Sequence, residues 1–139
     1  MPFSKLSPLI AEALAAREYD KPTAVQAAVL EPETEGRDLI VSAQTGSGKT
    51  VAFGIAMAPQ LLEPNGQFPF LVEPLALIIA PTRELALQVS RELTWLYQPA
   101  GAPIATCVGG IDASKERRRL RRGAHVIVGT PGRLRDHLV

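Results

Sequence analysis

The sequence predicts an α/β fold, a parallel sheet with helical layers on both faces. Three observations predict it. Apolar strand-like runs at 38–42, 75–80, 104–108 and 124–128 alternate with longer segments of helical period. The run Leu75-Ala76-Leu77-Ile78-Ile79-Ala80 is uninterrupted, as suits a parallel strand buried on both faces. Each run is followed directly by a polar or glycine-rich cluster: Ala43 onward, Pro81-Thr82-Arg83, Gly109-Gly110 and Thr130-Pro131-Gly132-Arg133. Ligands of open parallel sheets bind beyond the carboxyl ends of the strands, so all four clusters should share one rim.

The elements follow in order. Ser7-Pro8 reads as an N-cap and a first-turn proline, opening a helix to about Ala16 with Leu6, Ile10, Ala13 and Leu14 at helical spacing. Lys21-Pro22-Thr23 is the next boundary, because the residue before proline avoids the helical region. A short helix then runs from Thr23 to about Leu30, with Val25, Ala28 and Val29 facing inward. Pro32 to Arg37 is a polar turn, and Asp38 to Ser42 the first strand. A helix over Val51–Leu62 carries Phe53, Ile55, Ala56 and Met57, and the proline-rich stretch 63–74 is a loop. After the 75–80 strand, Pro81-Thr82 opens a helix to about Tyr97, with Leu85, Val89, Leu93 and Leu96 as its core stripe. Trp95 and Tyr97 in its last turn read as packing groups. Ile104 to Val108 is the third strand. Ser114 caps a basic helix to Arg122, which Gly123 stops. Ala124 to Val128 is the fourth strand, and a last helix starts at Thr130-Pro131.

The chain's 139 residues suffice for one domain, and a 46% hydrophobic content allows a sizeable core. No apolar run approaches the roughly 20 residues that span a bilayer, and no secretory signal is evident at Met1-Pro2-Phe3-Ser4-Lys5. Cys107, the single cysteine, precludes an internal disulfide and lies in an apolar run, where a buried inert thiol is expected. These features point to a cytoplasmic protein without membrane partners. The net charge of +1 excludes a global electrostatic argument for nucleic-acid binding. A local one stays open, because 114–122 holds six basic residues and one acid, Glu116. That helix reads either as an RNA-backbone contact or as a solvated face, the second being preferred. His125 and His137 show no metal-ligand spacing or partner carboxylate.

Ala43-Gln44-Thr45-Gly46-Ser47-Gly48-Lys49-Thr50, between a strand and a helix, has the order of a phosphate-binding loop. Its glycines let successive N–H groups converge on one anion at a helix N-terminus. Lys49 can reach the β- and γ-phosphates, and the Thr50 hydroxyl can ligate Mg²⁺. The usual pattern opens with glycine, where Ala43 stands here. On the other three clusters, helix N-termini, Gly-Gly turns, Arg83 and Arg133 are groups that contact phosphate and sugar without reading base sequence.

Taken together, the chain resembles the first RecA-like domain of DEAD-box ATP-dependent RNA helicases. Tyr19-Asp20-Lys21-Pro22-Thr23-Ala24-Val25-Gln26 is similar to the family's Q motif, with Phe3 near the place of its upstream aromatic. Residues 43–50 match motif I, where Ala43 is normal; 81–86 match motif Ia, 109–110 the GG element and 130–133 motif Ib. The resemblance implies a three-layer α/β/α P-loop NTPase domain, incomplete, that binds ATP with Mg²⁺. It implies that Gln26 holds the adenine edge and selects ATP over GTP. Phe3 stacks on the base, Lys21 adjoins that site, and Thr23 connects it to the phosphate loop. Gln44, Thr45, Gly46, Ser47, Gly48, Lys49 and Thr50 then hold the triphosphate, with Lys49 and Thr50 closest to the chemistry and Thr50 on the metal. Pro81, Thr82, Arg83, Gly109, Gly110, Thr130, Gly132 and Arg133 hold the RNA backbone.

Two departures from the family pattern stand out. Glu18 occupies a position where the family usually has glycine, which is expected to change the turn and not the adenine contact. No Asp-Glu-Ala-Asp occurs in the 139 residues. The resemblance therefore implies an N-terminal piece of a longer helicase, unable to hydrolyse ATP alone and completed by further helicase domains. The motif I strand would then lack neighbours, and the sheet would be marginal or would pair with another copy. A DNA helicase or translocase and a non-catalytic nucleic-acid-binding module are the competing readings. Gln26 in its Pro-Thr context argues against the first, and an intact Lys49-Thr50 against the second.

Overall fold

The computed structural model describes residues 6–19, 21–34, 36–42, 48–63, 73–108 and 113–138. Among them are six α-helices and three strands: α1 (Pro8–Ala16), α2 (Ala24–Val29), α3 (Lys49–Leu61), β1 (Ala76–Ile79), α4 (Arg83–Tyr97), β2 (Ile104–Cys107), α5 (Ala113–Arg121), β3 (Val126–Gly129) and α6 (Pro131–Leu138). Short 3₁₀ turns cover Pro32–Thr34 and Gln98–Ala100.

The strands form one parallel sheet in the order β1-β3-β2. Its register is level, with Ile79, Gly129 and Cys107 side by side at the carboxyl end. Side chains alternate across a strand, so the register defines two faces. Ala76, Ile78, Val126, Val128 and Ile104 share one face and join a core with residues of α1, α3 and α4, including Ile10, Leu14, Ile55, Leu93 and Leu96. The other face carries Leu77, Ile79, Ile127, Gly129, Ala105 and Cys107. There α6 sits close over β3: a Cβ built on Gly129 would lie 2.7 Å from the Cys107 carbonyl oxygen and 2.8 Å from Leu134 Cδ2. Only glycine lets β2, β3 and α6 approach this closely. Helices on both faces make the architecture three-layered, though β1 is uncovered on the second face, where Leu77 and Ile79 are 57% and 61% exposed. The expectation that β1 is buried on both faces is corrected accordingly.

A second correction concerns residues 38–42. They form no strand, and Leu39, Ile40 and Val41 are exposed. No described strand pairs with this segment. An apolar run records a capacity for burial, whereas a strand also needs a ladder partner.

The helices follow their sequence signals with local revisions. Thr82 caps α4, its Oγ1 accepting the Leu85 N–H at 3.2 Å. Ala86, not Leu85, completes the buried stripe of α4, and Leu85 is 39% exposed. In α2 the expected inward residue Ala28 is exposed, and Gln26 is buried with Val25 and Val29. Ser7 stands at the N-cap position of α1 without a capping bond. Tyr97 is fully buried and donates its hydroxyl hydrogen to the Gly54 carbonyl at 2.6 Å, tying α4 to α3. Trp95 stacks on Tyr19 at 5.5 Å, with the Arg17 guanidinium 5.0 Å from its ring centre. Both aromatics are packing groups, as expected. Glu18 has φ 59°, the left-handed conformation that glycine adopts without strain.

Candidate functional site

The first half of the site is built where α2 meets the start of α3. Thr23-Ala24-Val25-Gln26 is a capping box: Thr23 Oγ1 accepts the Gln26 N–H at 3.4 Å, and Gln26 Oε1 accepts the Thr23 N–H at 3.0 Å. This spacing was visible in the sequence and explains why Gln26 points inward. Its Nε2 donates to the Gly48 carbonyl at 3.3 Å, and the residue is fully buried. A primary amide has two N–H donors and two acceptor lone pairs, so one of each stays uncommitted. Gly48 is the N-cap of α3 with φ 84°. A Cβ there would collide with Gln26 Nε2, so the left-handed turn and the Gln26 contact both require glycine.

Lys49 and Thr50 form the first turn of α3, Lys49 exposed and Thr50 half-buried. Free backbone N–H groups, the positive end of the helix dipole and an ammonium therefore coincide. That donor set suits a polyphosphate, and the Thr50 hydroxyl suits the Mg²⁺ that accompanies one. The same residues line an apolar cleft of ≈ 270 Å³ with Val41, Phe53, Ile78, Ile79, Ala80, Leu85 and Val89. Lys49 and Thr50 thus lie at the carboxyl end of β1. Lys21 is exposed. Phe3, Gln44, Thr45, Gly46 and Ser47, expected to contribute here, lie outside the described residues.

The second half lies along the strand ends. Pro81, Thr82 and Arg83 follow β1, and all three are exposed. Thr130, Pro131, Gly132 and Arg133 follow β3; Thr130 N–H donates to the Cys107 carbonyl at 3.1 Å, and Leu134 N–H to the Thr130 carbonyl at 3.0 Å. Gly109 and Gly110, after β2, lie outside the described residues. Because the three strand ends are level, the described clusters do share one rim.

Behind this rim lies a polar cluster that the sequence did not disclose. Glu116, on the inner face of α5, is 4% exposed. Its Oε2 accepts the Val108 N–H at 3.0 Å. Its Oε1 is 2.8 Å from His137 Nε2 and 3.6 Å from the Arg133 guanidinium. Arg133 Nε also lies 3.9 Å from Asp136. His137 therefore has a carboxylate partner, contrary to expectation. The available signal was helical spacing: Glu116, the one acid of the basic stretch, shares a face with Ala113 and Leu120. The basic side chains of Lys115, Arg117, Arg118, Arg121 and Arg122 are exposed around it. Cys107 Sγ, a Glu116 oxygen and a His137 ring nitrogen lie within 4.8 Å of one another, close enough to share a metal ion. The guanidinium on the same carboxylate opposes a second cation. So does the thiol, pushed up to about 11 by burial and then by the Glu116 charge, with Arg133 pulling the other way. The chemistry of the cluster is that of a hydrogen-bonded carboxylate. Cys107 is buried, as the sequence led one to expect.

Comparison with known proteins gives concordant results. The family model described as DEAD/DEAH box helicase matches residues 23–139. The DEAD-box ATP-dependent RNA helicase 53 of Oryza sativa subsp. japonica is 45% identical over 135 residues, covering 96% of this chain and 22% of that protein. The ATP-dependent rRNA helicase RRP3 of Meyerozyma guilliermondii is 42% identical over 138 residues, covering 98% and 28%. The crystal structure of the RNA-helicase Prp28 from Chaetomium thermophilum bound to ADP superposes with a TM-score of 0.81 at 37% identity, covering 94% of this chain and 32% of that one. The chain thus spans less than a third of the length of these relatives. No helix among the described residues is long and apolar enough to cross a membrane.

Proposed function

The chain belongs to the DEAD/DEAH box helicase family, and from that premise we propose that it is the ATP-binding and RNA-backbone-binding part of an ATP-dependent RNA helicase. One observation carries the reading: the Gln26 amide joins the α2 capping box to Gly48 at the mouth of the phosphate loop. A base-reading amide is thereby wired to the triphosphate site. Its uncommitted N–H and lone pair are the complementary pair that an adenine edge needs and a guanine edge lacks in that order. The other N–H stays on the Gly48 carbonyl. Base recognition and the phosphate loop are coupled through that one bond.

Within this reading, Lys49 neutralises the outer phosphates and the α3 N-terminus supplies backbone donors. Bound Mg²⁺ supplies charge neutralisation across the phosphate oxygens, with Thr50 its contact in this chain. Phe3, Lys21 and Thr23 complete the base side, and Gln44, Thr45, Gly46, Ser47 and Gly48 the phosphate cradle. Pro81, Thr82, Arg83, Gly109, Gly110, Thr130, Gly132 and Arg133 hold the RNA backbone across the strand ends. No Asp-Glu-Ala-Asp stands among these 139 residues. We therefore assign them binding and not turnover. Duplex separation belongs to the whole helicase, acting with its other domains in the cytoplasm.

The test is titration of a fluorescent ATP analogue with competition by ATP and GTP. ATP is expected to displace the analogue, GTP to do so poorly, and Gln26→Ala to erase that preference. Lys49→Ala should weaken ATP binding by about tenfold or more. Equal competition by ATP and GTP, or no ATP binding, would overturn the reading. RNA-stimulated phosphate release by the isolated chain would overturn the assignment of binding without turnover.

A further inference from the structure

We propose that Glu116 is a positioning residue for RNA binding: its carboxylate ties the end of β2 to α6 and so orients the Arg133 guanidinium toward the RNA backbone. The inference rests on the RNA reading above and adds to it a residue outside the matched motifs.

The geometry is that of a clamp. Oε2 holds the Val108 N–H, the last described backbone donor before Gly109-Gly110. Oε1 holds His137 and Arg133, which lie one turn apart on α6. One carboxylate thus bridges the chain leaving β2 and the helix following β3. The strands themselves provide a second tie, through Thr130 N–H to the Cys107 carbonyl. Backbone bonds fix the strand ends, but they do not fix the Arg133 guanidinium. That group sits at the end of a long flexible side chain and loses most of its freedom only by pairing. The Arg133 side chain is 16% exposed and held from within by Glu116, which limits the directions in which its free N–H groups can point.

The position of Glu116 also argues for a role beyond charge balance. A carboxylate in a run of six basic residues has partners available in solvent at little desolvation cost. Here it faces away from them and is buried on Val108, Arg133 and His137. Buried ion pairs contribute little net stability, and their attested use is to specify one arrangement over others. The arrangement specified here is that of α6 against the end of β2.

The experiment uses the 139-residue chain and a fluorescein-labelled oligouridylate, read by anisotropy across a salt series. Binding by the wild-type chain tests the RNA reading on its own, and a wild-type chain that ignores the RNA while binding ATP overturns that reading first. Glu116→Gln retains an acceptor for Val108 and removes the buried one of the two charges that hold Arg133, leaving the exposed Asp136 at 3.9 Å. It is expected to weaken RNA binding by about threefold to tenfold. It should also flatten the salt dependence by about 0.7 in log–log slope, the loss of one phosphate contact on a single strand. Arg133→Ala should do the same, and the double variant should bind no worse than Arg133→Ala alone. A purely structural Glu116 would leave the salt slope unchanged and would weaken binding equally in both backgrounds. Either result overturns the proposal, as does wild-type affinity in Glu116→Gln. Should Glu116→Gln fail to fold, His137→Ala cuts one tie to α6 and spares the Val108 bond; unchanged binding and slope in that variant would likewise overturn it.

Discussion

Val126-Ile127-Val128 and Leu39-Ile40-Val41 are three-residue apolar runs of the same kind, and the molecule treats them oppositely. The first is the middle of β3, paired on both sides, with Val126 and Val128 fully buried. The second pairs with no described strand and is exposed along its length. Hydrophobicity is equal in the two; neighbours are not. β3 has β1 and β2 at hand, while in the stretch before the phosphate loop Val41 lines an apolar cleft with residues of α3 and β1. Burial in a sheet is thus a property of the ladder as much as of the residue. The contrast extends to function: the closely tied side holds the Glu116 cluster, and the open side holds Lys49 and Thr50.

The sharpest way to break this comparison is to truncate equivalent apolar residues on each side. Leu93→Ala, at the centre of the core under β3, should cost about 2–5 kcal/mol in chemical denaturation, enough to unfold much of the population. Next is the thiol on the tied side. Its pKa rises from the ordinary 9 to about 11. Between those values the unfolded chain releases a proton that the folded chain keeps, so stability should fall as pH rises from 9 to 11 and be unaffected by this group below. Alkylation of Cys107 at pH 9 should accordingly be slowed by about fiftyfold relative to the urea-unfolded chain, from the thiolate fractions alone. A smaller effect is expected at the turn before Tyr19. Glu18→Gly should raise stability by about 0.5–1 kcal/mol, because φ 59° costs a side chain and costs glycine nothing. Last is the counterpart of the first. Ile40→Ser should change stability by less than about 0.5 kcal/mol, as for any exposed site. It should lower self-association in sedimentation velocity, because the exposed apolar strip at 39–41, Leu77 and Ile79 is the surface on which copies would meet. A destabilisation as large as that of Leu93→Ala would show that residues 39–41 are buried in solution and would remove the contrast.

Much of this was legible in the residues. Helix bounds came within a residue or two because caps and breakers are local: Pro8, Thr82, Gly123 and Pro131 act on the turn they occupy. The rim was legible because parallel strands put their carboxyl ends together. The misses share a different cause. Residues 38–42 read as a strand and Leu77 and Ile79 as buried, yet both readings depend on neighbours that no local pattern specifies. Gln26 was assigned by resemblance to a base; its capping box was readable in Thr23-Ala24-Val25-Gln26, but the Gly48 carbonyl it meets is 22 positions away. Glu116 and His137 are 21 positions apart and meet only because α5 and α6 pack on the same face of β2 and β3. Periodicity places Glu116 on the inner face of its helix, but the partner on that face is a matter of topology.

The strand order has a kinetic consequence. β3 is the last of the three strands to leave the ribosome and the central one in space. Ala76 waits for Val126, 50 positions on, and Ile104 for the same residue, 22 positions on. Until then β1 and β2 have no ladder, and closing it means forming two long loops. During synthesis the nascent chain must therefore carry two open, apolar edges for the time taken to translate tens of residues, a few seconds at ordinary elongation rates of roughly 5–20 residues per second. α4 is complete at Tyr97, before β3 is made, so the helix pairs α1–α4 and α3–α4 can form while β1 and β2 still lack a ladder. Docking of helices should precede closure of the sheet, and the interval between the two is when this chain is most open to aggregation.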